Sequence, residues 1–184
     1  ALLKSKINPH FLFNTLNNLF SLASKQKDYQ TADGISKLAQ MMRYMIHETN
    51  VDYVELTKEV EQIHSFIELQ KLRFLEGDDV HINFHVSGDV DKISIAPMLL
   101  IPFVENAFKH SASVQQPTVI DIDLKEVDRE VQFIVKNSIN RYKQEIDNQS
   151  HIGLTNVKRR RPLLYPGTHI RTVTRPNNFF SPCL

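Results

Sequence analysis

A histidine beside a proline and an asparagine stands out near the beginning of the chain. His10 follows Pro9 in the run INPHFLFN, and Asn14 comes four residues later. Proline begins or bends a helix, so the imidazole would lie beside irregular, accessible backbone. A neutral imidazole is a nucleophile, and an amide one turn away would orient the ring or a water. The alternative is an ordinary helix start, with Asn8 as the N-cap and a half-buried histidine.

A second group of residues that could take part in chemistry lies at the end of the segment LLIPFVENAFKH, residues 99–110, which begins apolar. Its polar members lie three to five residues apart or adjacent, and they are Glu105, Asn106, Lys109 and His110. A carboxylate, an amide oxygen and cations together suit hydrated Mg²⁺ and a polyphosphate, because Mg²⁺ takes few protein oxygens and keeps several waters. The alternative is a solvated helix end whose basic residues are favoured by the helix dipole.

A third motif is the run SHIGLTNV at residues 150–157, a loop that leads into a predicted short helix at residues 154–161. The free amides at a helix start can receive phosphate, and Gly153 would let the backbone approach closely. With one glycine the motif is weak. By itself, the motif is better explained by a simple helix start.

The elements that position these residues change type along the chain. Apolar residues recur at helical spacing through residues 7–23 and 35–46, and a third helix is predicted to begin near Thr57, its N-cap, with Glu59 and Glu61 in its first turn. After Gly77 the period becomes two, which predicts a strand at residues 80–86 and a hairpin from residues 120–124 and 131–135. A helix from Pro97 to residue 110 is predicted between them, although Pro102 would cost it a hydrogen bond.

Composition bounds the class of protein. The chain has 184 residues with 22 Lys+Arg and 21 Asp+Glu, a net charge of +1 that provides no large field to gather nucleic acid. No apolar run reaches the roughly 18–20 residues of a spanning helix. The chain lacks an initiator Met, so we expect a fragment of a longer protein, and its one cysteine, Cys183, fits a reducing compartment.

In this order, the three motifs resemble the LytS-like sensor histidine kinases, bacterial proteins that join a phosphoacceptor helical region to an ATPase domain of the GHKL superfamily. The similarity is strongest in INPHFLFNTLNNL, ELQKLRF, PFVENAFKH, and IGLTNVKRR followed by LLYPG. It implies an α+β fold, with a helical phosphoacceptor and dimerisation region at residues 1–75. A GHKL-type ATP-binding domain with a mixed sheet would follow at residues 76–184.

The resemblance also implies roles for individual residues. His10 would be the phosphoacceptor and Asn106 the Mg²⁺ ligand, with Glu105, Lys109 and His110 beside the phosphates. Asn137 falls where the family usually carries an aspartate that accepts from the adenine amino group. The end of the family's second glycine box is matched by Gly153 and Leu154. Phe11 occupies the position after the histidine, so the general base is unassigned there, and Glu105 is the candidate.

Several positions depart from the family pattern. Gln149 and His151 stand where earlier glycines of the second glycine box would fall, and Pro162 interrupts the following helix. Glycine is used where backbone approaches phosphate closely, so these residues would weaken or reshape the ATP lid. The tail at residues 177–184 looks too short to supply the usual last strand.

The implied function is that of a sensor kinase that uses ATP and Mg²⁺ to phosphorylate His10 and then an aspartate of a response regulator receiver domain, one with a LytTR-type DNA-binding output. We expect a homodimer without direct nucleic acid binding. It would be the cytoplasmic portion of a bacterial inner-membrane protein with an upstream sensor region. The alternative is a catalytically impaired, dimerising interaction module. A GHKL chaperone or repair ATPase is a third reading, against which INPHFLFN argues.

Overall fold

The computed structural model describes residues 9–48, 51–111, 117–127, 130–138, 171–174 and 180–183. Two compact units divide the chain between Val51 and Asp52. The described part of the first unit is helical, whereas that of the second unit combines helices with seven strands. The predicted α+β class is therefore confirmed.

The first unit is a pair of packed helices, α1 (Pro9–Lys25) and α2 (Tyr29–His47). Pro9 stands at the first position of α1, where its missing N–H costs nothing. Lys27 turns the chain between the helices with a φ of +59°, and Asp28 caps α2 by accepting from the Thr31 N–H at 3.1 Å. Hydrogen bonding from the Thr31 side chain, together with this backbone N–H bond, holds the pKa of the Asp28 carboxyl below its usual value.

The second unit begins with a strand and a helix. Strand β1 (Val54–Glu55) leads directly into α3 (Leu56–Lys71), whose N-cap is Glu55. The prediction that Thr57 caps this helix is therefore wrong by two residues. The Thr57 hydroxyl instead donates to the Glu55 carboxylate at 3.4 Å.

A short 3-10 helix (Val90–Lys92) and strand β3 (Ser94–Ile95) precede α4 (Ile101–Ser111). Helix α4 begins four residues later than the predicted start at Pro97, because Met98 adopts a φ of +59° that a right-handed helix cannot contain. This later start places Pro102 at the second helical position. A residue there has no N–H partner within the helix, so the expected loss of a hydrogen bond does not occur.

A five-stranded mixed sheet forms the other layer of the second unit, in the order β2-β4-β5-β7-β6. Strand β2 (Val80–Ser87) runs parallel to β4 (Thr118–Val127), and β4 is antiparallel to β5 (Glu130–Asn137). Both the predicted strand and the predicted hairpin are thus confirmed. The tail does add a strand, contrary to expectation, since β6 (Arg171–Thr174) and β7 (Phe180–Cys183) pair with each other and β7 pairs with β5.

The core of the second unit lies between the helices and one face of the sheet. Edge-on aromatic contacts join α4 to β5 (Phe103 with Phe133, 6.3 Å between ring centroids) and α3 to α4 (Phe66 with Phe108, 5.6 Å). Fully buried aliphatic residues fill the layer, among them Leu56, Ile63, Leu100, Ile120, Ile122 and Leu124. Helix α4 therefore rests on a packed layer, and its residues are held relative to the strand ends.

Helix α3 belongs to the same unit as the sheet, because it packs on α4 and because β1, the strand directly before it, pairs with β3. The sequence-based division at residues 75 and 76 had grouped this helix with the first two. The assignment of functions to those two regions stays a prediction. Across the described parts of the chain, no helix combines the length and apolarity needed to span a bilayer.

Candidate functional site

His10 lies exposed in the first turn of α1, one turn before Asn14. The Asn14 amide nitrogen is 3.3 Å from Nδ1 of the imidazole and 3.4 Å from Nε2. Because it is almost equally close to both, this amide can donate to whichever ring nitrogen lacks a proton. The predicted pairing of the two side chains is present, and it leaves the ring accessible for chemistry.

Helix α1 supplies no carboxylate near this imidazole, because Pro9–Lys25 contains neither Asp nor Glu. The neighbouring Phe11 is exposed, and its carbonyl accepts from the Thr15 hydroxyl at 2.9 Å. A carboxylate that removes a proton from His10 would therefore have to come from another element.

The second set of predicted site residues lies on α4. Asn106 is half-buried, while Glu105 and Lys109 are exposed. Desolvation by surrounding atoms nevertheless raises the pKa of the Glu105 carboxyl above its usual value. The side chain of His110 lies outside the described residues. One helix thus presents a carboxylate, an amide and an ammonium group within five residues.

Asn137 ends β5 and is 2% exposed. Its Nδ2 donates to the Ser138 carbonyl at 2.9 Å, which fixes the amide. The next residue is tied to β4 as well, since the Ser138 N–H donates to the Val119 carbonyl at 2.9 Å and its hydroxyl accepts from the Val119 N–H at 3.1 Å. The strand end that carries Asn137 is therefore rigidly held.

The second unit brings α4 and Asn137 into one framework, because α4 packs on β4 and β5. His10 belongs to the first unit. The remaining predicted residues, Gly153 and Leu154, lie outside the described part of the chain, as do Gln149, His151 and Pro162. Within the described ranges, no group of three His, Cys, Asp or Glu side chains could hold a metal ion. An Asn106 site would need water and phosphate oxygens as further ligands.

One buried charged residue was not anticipated as part of this framework. Glu59 of α3 is 0% exposed, and its carboxylate accepts from three consecutive backbone amides ahead of α4. From the sequence, Glu59 is expected only to stabilise the first turn of its own helix. A signal was present, since Glu59 falls three residues after Leu56 and four before Ile63, within the apolar stripe of α3.

Comparison with known proteins gives consistent results. The model of the family described as histidine kinase matches residues 1–78. Sensor histidine kinase YpdA of Escherichia coli is 32% identical over 179 residues, which covers 92% of this chain and 31% of that protein. Sensor protein LytS of Oceanobacillus iheyensis is 32% identical over 135 residues, or 72% of this chain and 22% of that protein. The chain thus spans about a third or less of these relatives.

Among solved structures, the catalytic domain of histidine kinase ThkA is similar in fold, with a TM-score of 0.51 and 16% identity over 72% of this chain and 96% of that domain. At this level of identity the likeness concerns the fold alone. The sequence matches carry the assignment further, since they include the motif around His10 and the residues of α4. Residues 1–78 thus match the histidine kinase family, and most of the chain is similar in sequence to sensor histidine kinases that include LytS.

Proposed function

We propose that this chain is the ATP-dependent kinase portion of a two-component sensor and that His10 is its phosphoacceptor. An unprotonated imidazole nitrogen would attack the γ-phosphorus of ATP, forming a P–N bond as the bond to the ADP oxygen breaks. The ring loses its N–H proton to a base or water. The observation that carries the proposal is the exposed imidazole of His10, with the Asn14 amide within reach of both ring nitrogens.

The nucleotide would be held by the second unit. The buried Asn137 amide has its nitrogen engaged with Ser138, so its oxygen is the atom suited to accept from the adenine amino group. The oxygen of the half-buried Asn106 is of the type that Mg²⁺ prefers. Bound Mg²⁺ would offset charge on the transferring phosphoryl group. Lys109, with His110, would add positive charge beside the phosphates, and Gly153 and Leu154 would belong to the lid.

Glu105 is our candidate for the general base. Its raised pKa means that the carboxylate takes a proton more readily at neutral pH than an ordinary surface glutamate does. Since α1 carries no acidic residue, a carboxylate base would come from another element. These two observations support Glu105 in that role.

The partners follow from the same proposal. The phosphoryl group would pass from His10 to an aspartate of a response regulator receiver domain, one with a LytTR-type DNA-binding output. Exposed apolar side chains along the first unit, Phe11, Leu19, Phe20, Leu22 and Leu38, support a homodimer. We place the chain on the cytoplasmic side of a bacterial inner membrane, downstream of a sensor region, and without direct contact to nucleic acid.

The test is to incubate the chain with γ-labelled ATP and Mg²⁺ and to follow label into protein. The bond should be acid-labile and alkali-stable, as expected for a phosphoramidate, and His10→Gln should remove all label. His47→Gln is the matched control, because His47 is also an exposed histidine of the first unit, at the end of α2. Its labelling should equal that of the unaltered chain.

Label that survives in His10→Gln would contradict the phosphoacceptor assignment. Absence of label in the unaltered chain, together with no binding of Mg²⁺–ATP, would favour the alternative of a catalytically impaired dimerising module. His151→Gly gives a further check on the lid. Tighter ATP binding in that variant would show that the histidine impairs the lid, whereas weaker binding would make His151 a ligand of the phosphates.

A further inference from the structure

The carboxylate of Glu59 bridges α3 to the segment that leads into α4. Oε1 accepts from the Met98 N–H at 2.8 Å, and Oε2 accepts from the Leu99 and Leu100 N–H groups at 3.1 and 3.2 Å. The residue is 0% exposed. A buried carboxylate is costly unless it is hydrogen-bonded, and here three successive donors meet that requirement.

The three amides converge because of the backbone conformation. Met98 adopts a φ of +59°, and successive N–H groups around such a left-handed residue form a concave nest that attracts an anion. A non-glycine residue reaches this conformation only at a cost, which the surroundings must offset. The anion that occupies the nest is the side chain of Glu59.

The nest is anchored from the same side by backbone pairing. Strand β1 pairs with β3 through Val54 with Ile95, and the Leu56 N–H donates to the Ile93 carbonyl at 2.9 Å. The β1–β3 pairing and the Glu59 carboxylate therefore tie residues 54–59 to residues 93–100. Helix α4 starts at the next residue, Ile101, so the backbone that leads directly into it is held by α3.

We infer that Glu59 is a positioning residue for the nucleotide site, because it sets the position of α4 and through it that of Asn106 and Lys109. The inference rests on the function proposed above. Three hydrogen bonds at one end of an 11-residue helix restrict its sliding and rotation, while Phe103 holds the same helix against Phe133 of the sheet. Misplacing a ligand-bearing helix by about 1 Å can cost on the order of a hundredfold in activity.

Glu59→Gln tests this with little change in volume. The amide keeps one oxygen acceptor but turns an NH₂ group toward the backbone donors, so the nest loses its anion and gains a repulsive contact. In calorimetric titrations of the 184-residue chain, we expect Glu59→Gln to bind Mg²⁺–ATP about tenfold or more weakly. Glu61→Gln is the matched control, since Glu61 is an exposed glutamate of the same helix, and its affinity should be unchanged.

A second variant separates positioning from stability. Met98→Gly removes the steric cost of the positive φ, so the double variant Glu59→Gln/Met98→Gly should regain thermal stability relative to Glu59→Gln. Its Mg²⁺–ATP affinity should stay low, because the carboxylate that locates α4 is still missing. Glu59→Asp, which keeps the charge on a shorter arm, should recover part of the affinity.

The possible results separate the positioning role of Glu59 from the proposed function of the chain. Mg²⁺–ATP binding by Glu59→Gln equal to that of the unaltered chain would overturn the inference and leave the proposed function standing. If the double variant regained both thermal stability and Mg²⁺–ATP affinity, the inference would also be overturned, because Glu59 would then be only a stabilising residue. No binding by the unaltered chain would refute the proposed function first, and the inference with it.

Discussion

The two units of this protein differ in how many of their large apolar side chains are exposed among the described residues. In the helical pair, Phe11 is 69% exposed, Tyr29 71% and Leu19 46%. In the second unit, Leu100, Ile63 and the inner face of β4 are almost fully buried. The described part of the first unit therefore leaves more apolar surface uncovered than that of the second. The proposed chemistry involves an exposed histidine of the first unit and residues of helix α4, which rests on the packed core of the second.

The largest expected effect concerns Asn106, which lies on helix α4 of the second unit. Asn106→Ala should weaken Mg²⁺–ATP binding by about a hundredfold or more, because the proposed metal loses its protein oxygen. The fold should persist, since Asn106 is half-buried on the polar side of α4. Calorimetry with Mg²⁺–ATP measures the loss, and Asn18→Ala, an exposed position of α1, is the control. Normal binding by Asn106→Ala would show that the metal lies elsewhere.

The contrast in burial predicts a large difference in folding stability between two aliphatic truncations. Ile63→Ala should lower the free energy of unfolding by about 2–5 kcal/mol, because Ile63 of α3 is 0% exposed. Leu19→Ala should cost about 1 kcal/mol or less in the first unit. Urea titration at low protein concentration measures both. A larger loss for Leu19→Ala would mean that the helical pair has a core of its own at this residue.

On the first unit, Asn14 should influence the chemistry of His10 without influencing stability. Asn14→Ala removes the amide that lies 3.3 Å from the ring, so it should slow loss of phosphate from His10 by about tenfold while changing its formation less. Chasing labelled protein with unlabelled ATP measures the rate of loss. Asn17→Ala, another exposed asparagine of α1, should behave as the unaltered chain does. Normal dephosphorylation of Asn14→Ala would remove this role.

The smallest effect concerns the cap of α2. The folded pKa of Asp28 lies below its usual value of 3.8, so its charge contributes stability above that pH, and the contribution is lost as pH falls through the folded pKa. Asp28→Asn keeps a capping side chain but does not titrate. The stability advantage of the unaltered chain over Asp28→Asn should therefore vanish in acid. A difference that is constant with pH would contradict this account.

Local patterns predicted much of the fold. The period of two around Ile82, Ile120 and Phe133 identified three of the five strands of the sheet, because alternating burial is a property of each strand alone. Helix boundaries were less accurate. The start of α4 depends on the positive φ of Met98, which a contact with a distant carboxylate supports and no local pattern reveals.

The proximity of two candidate site residues could be predicted from the sequence, but the contacts that position α4 could not. His10 and Asn14 are one turn apart on a regular helix, so their proximity follows from spacing alone. The position of α4 does not, because it depends on Glu59, whose partners lie 39 to 41 residues away in the chain. Sequence spacing reports contacts within an element and is silent about pairing between elements this far apart.

The pairing of residues 54–59 with residues 93–100 has a consequence for how the second unit folds. These contacts close a long loop that contains β2, so they form only when α3 and the segment before α4 have met. Folding of this unit should therefore be cooperative, with α3 docking late. A recombinant fragment that begins at residue 76 would lack both β1 and Glu59 and should fold poorly, whereas one that begins at residue 52 keeps the whole cooperative unit.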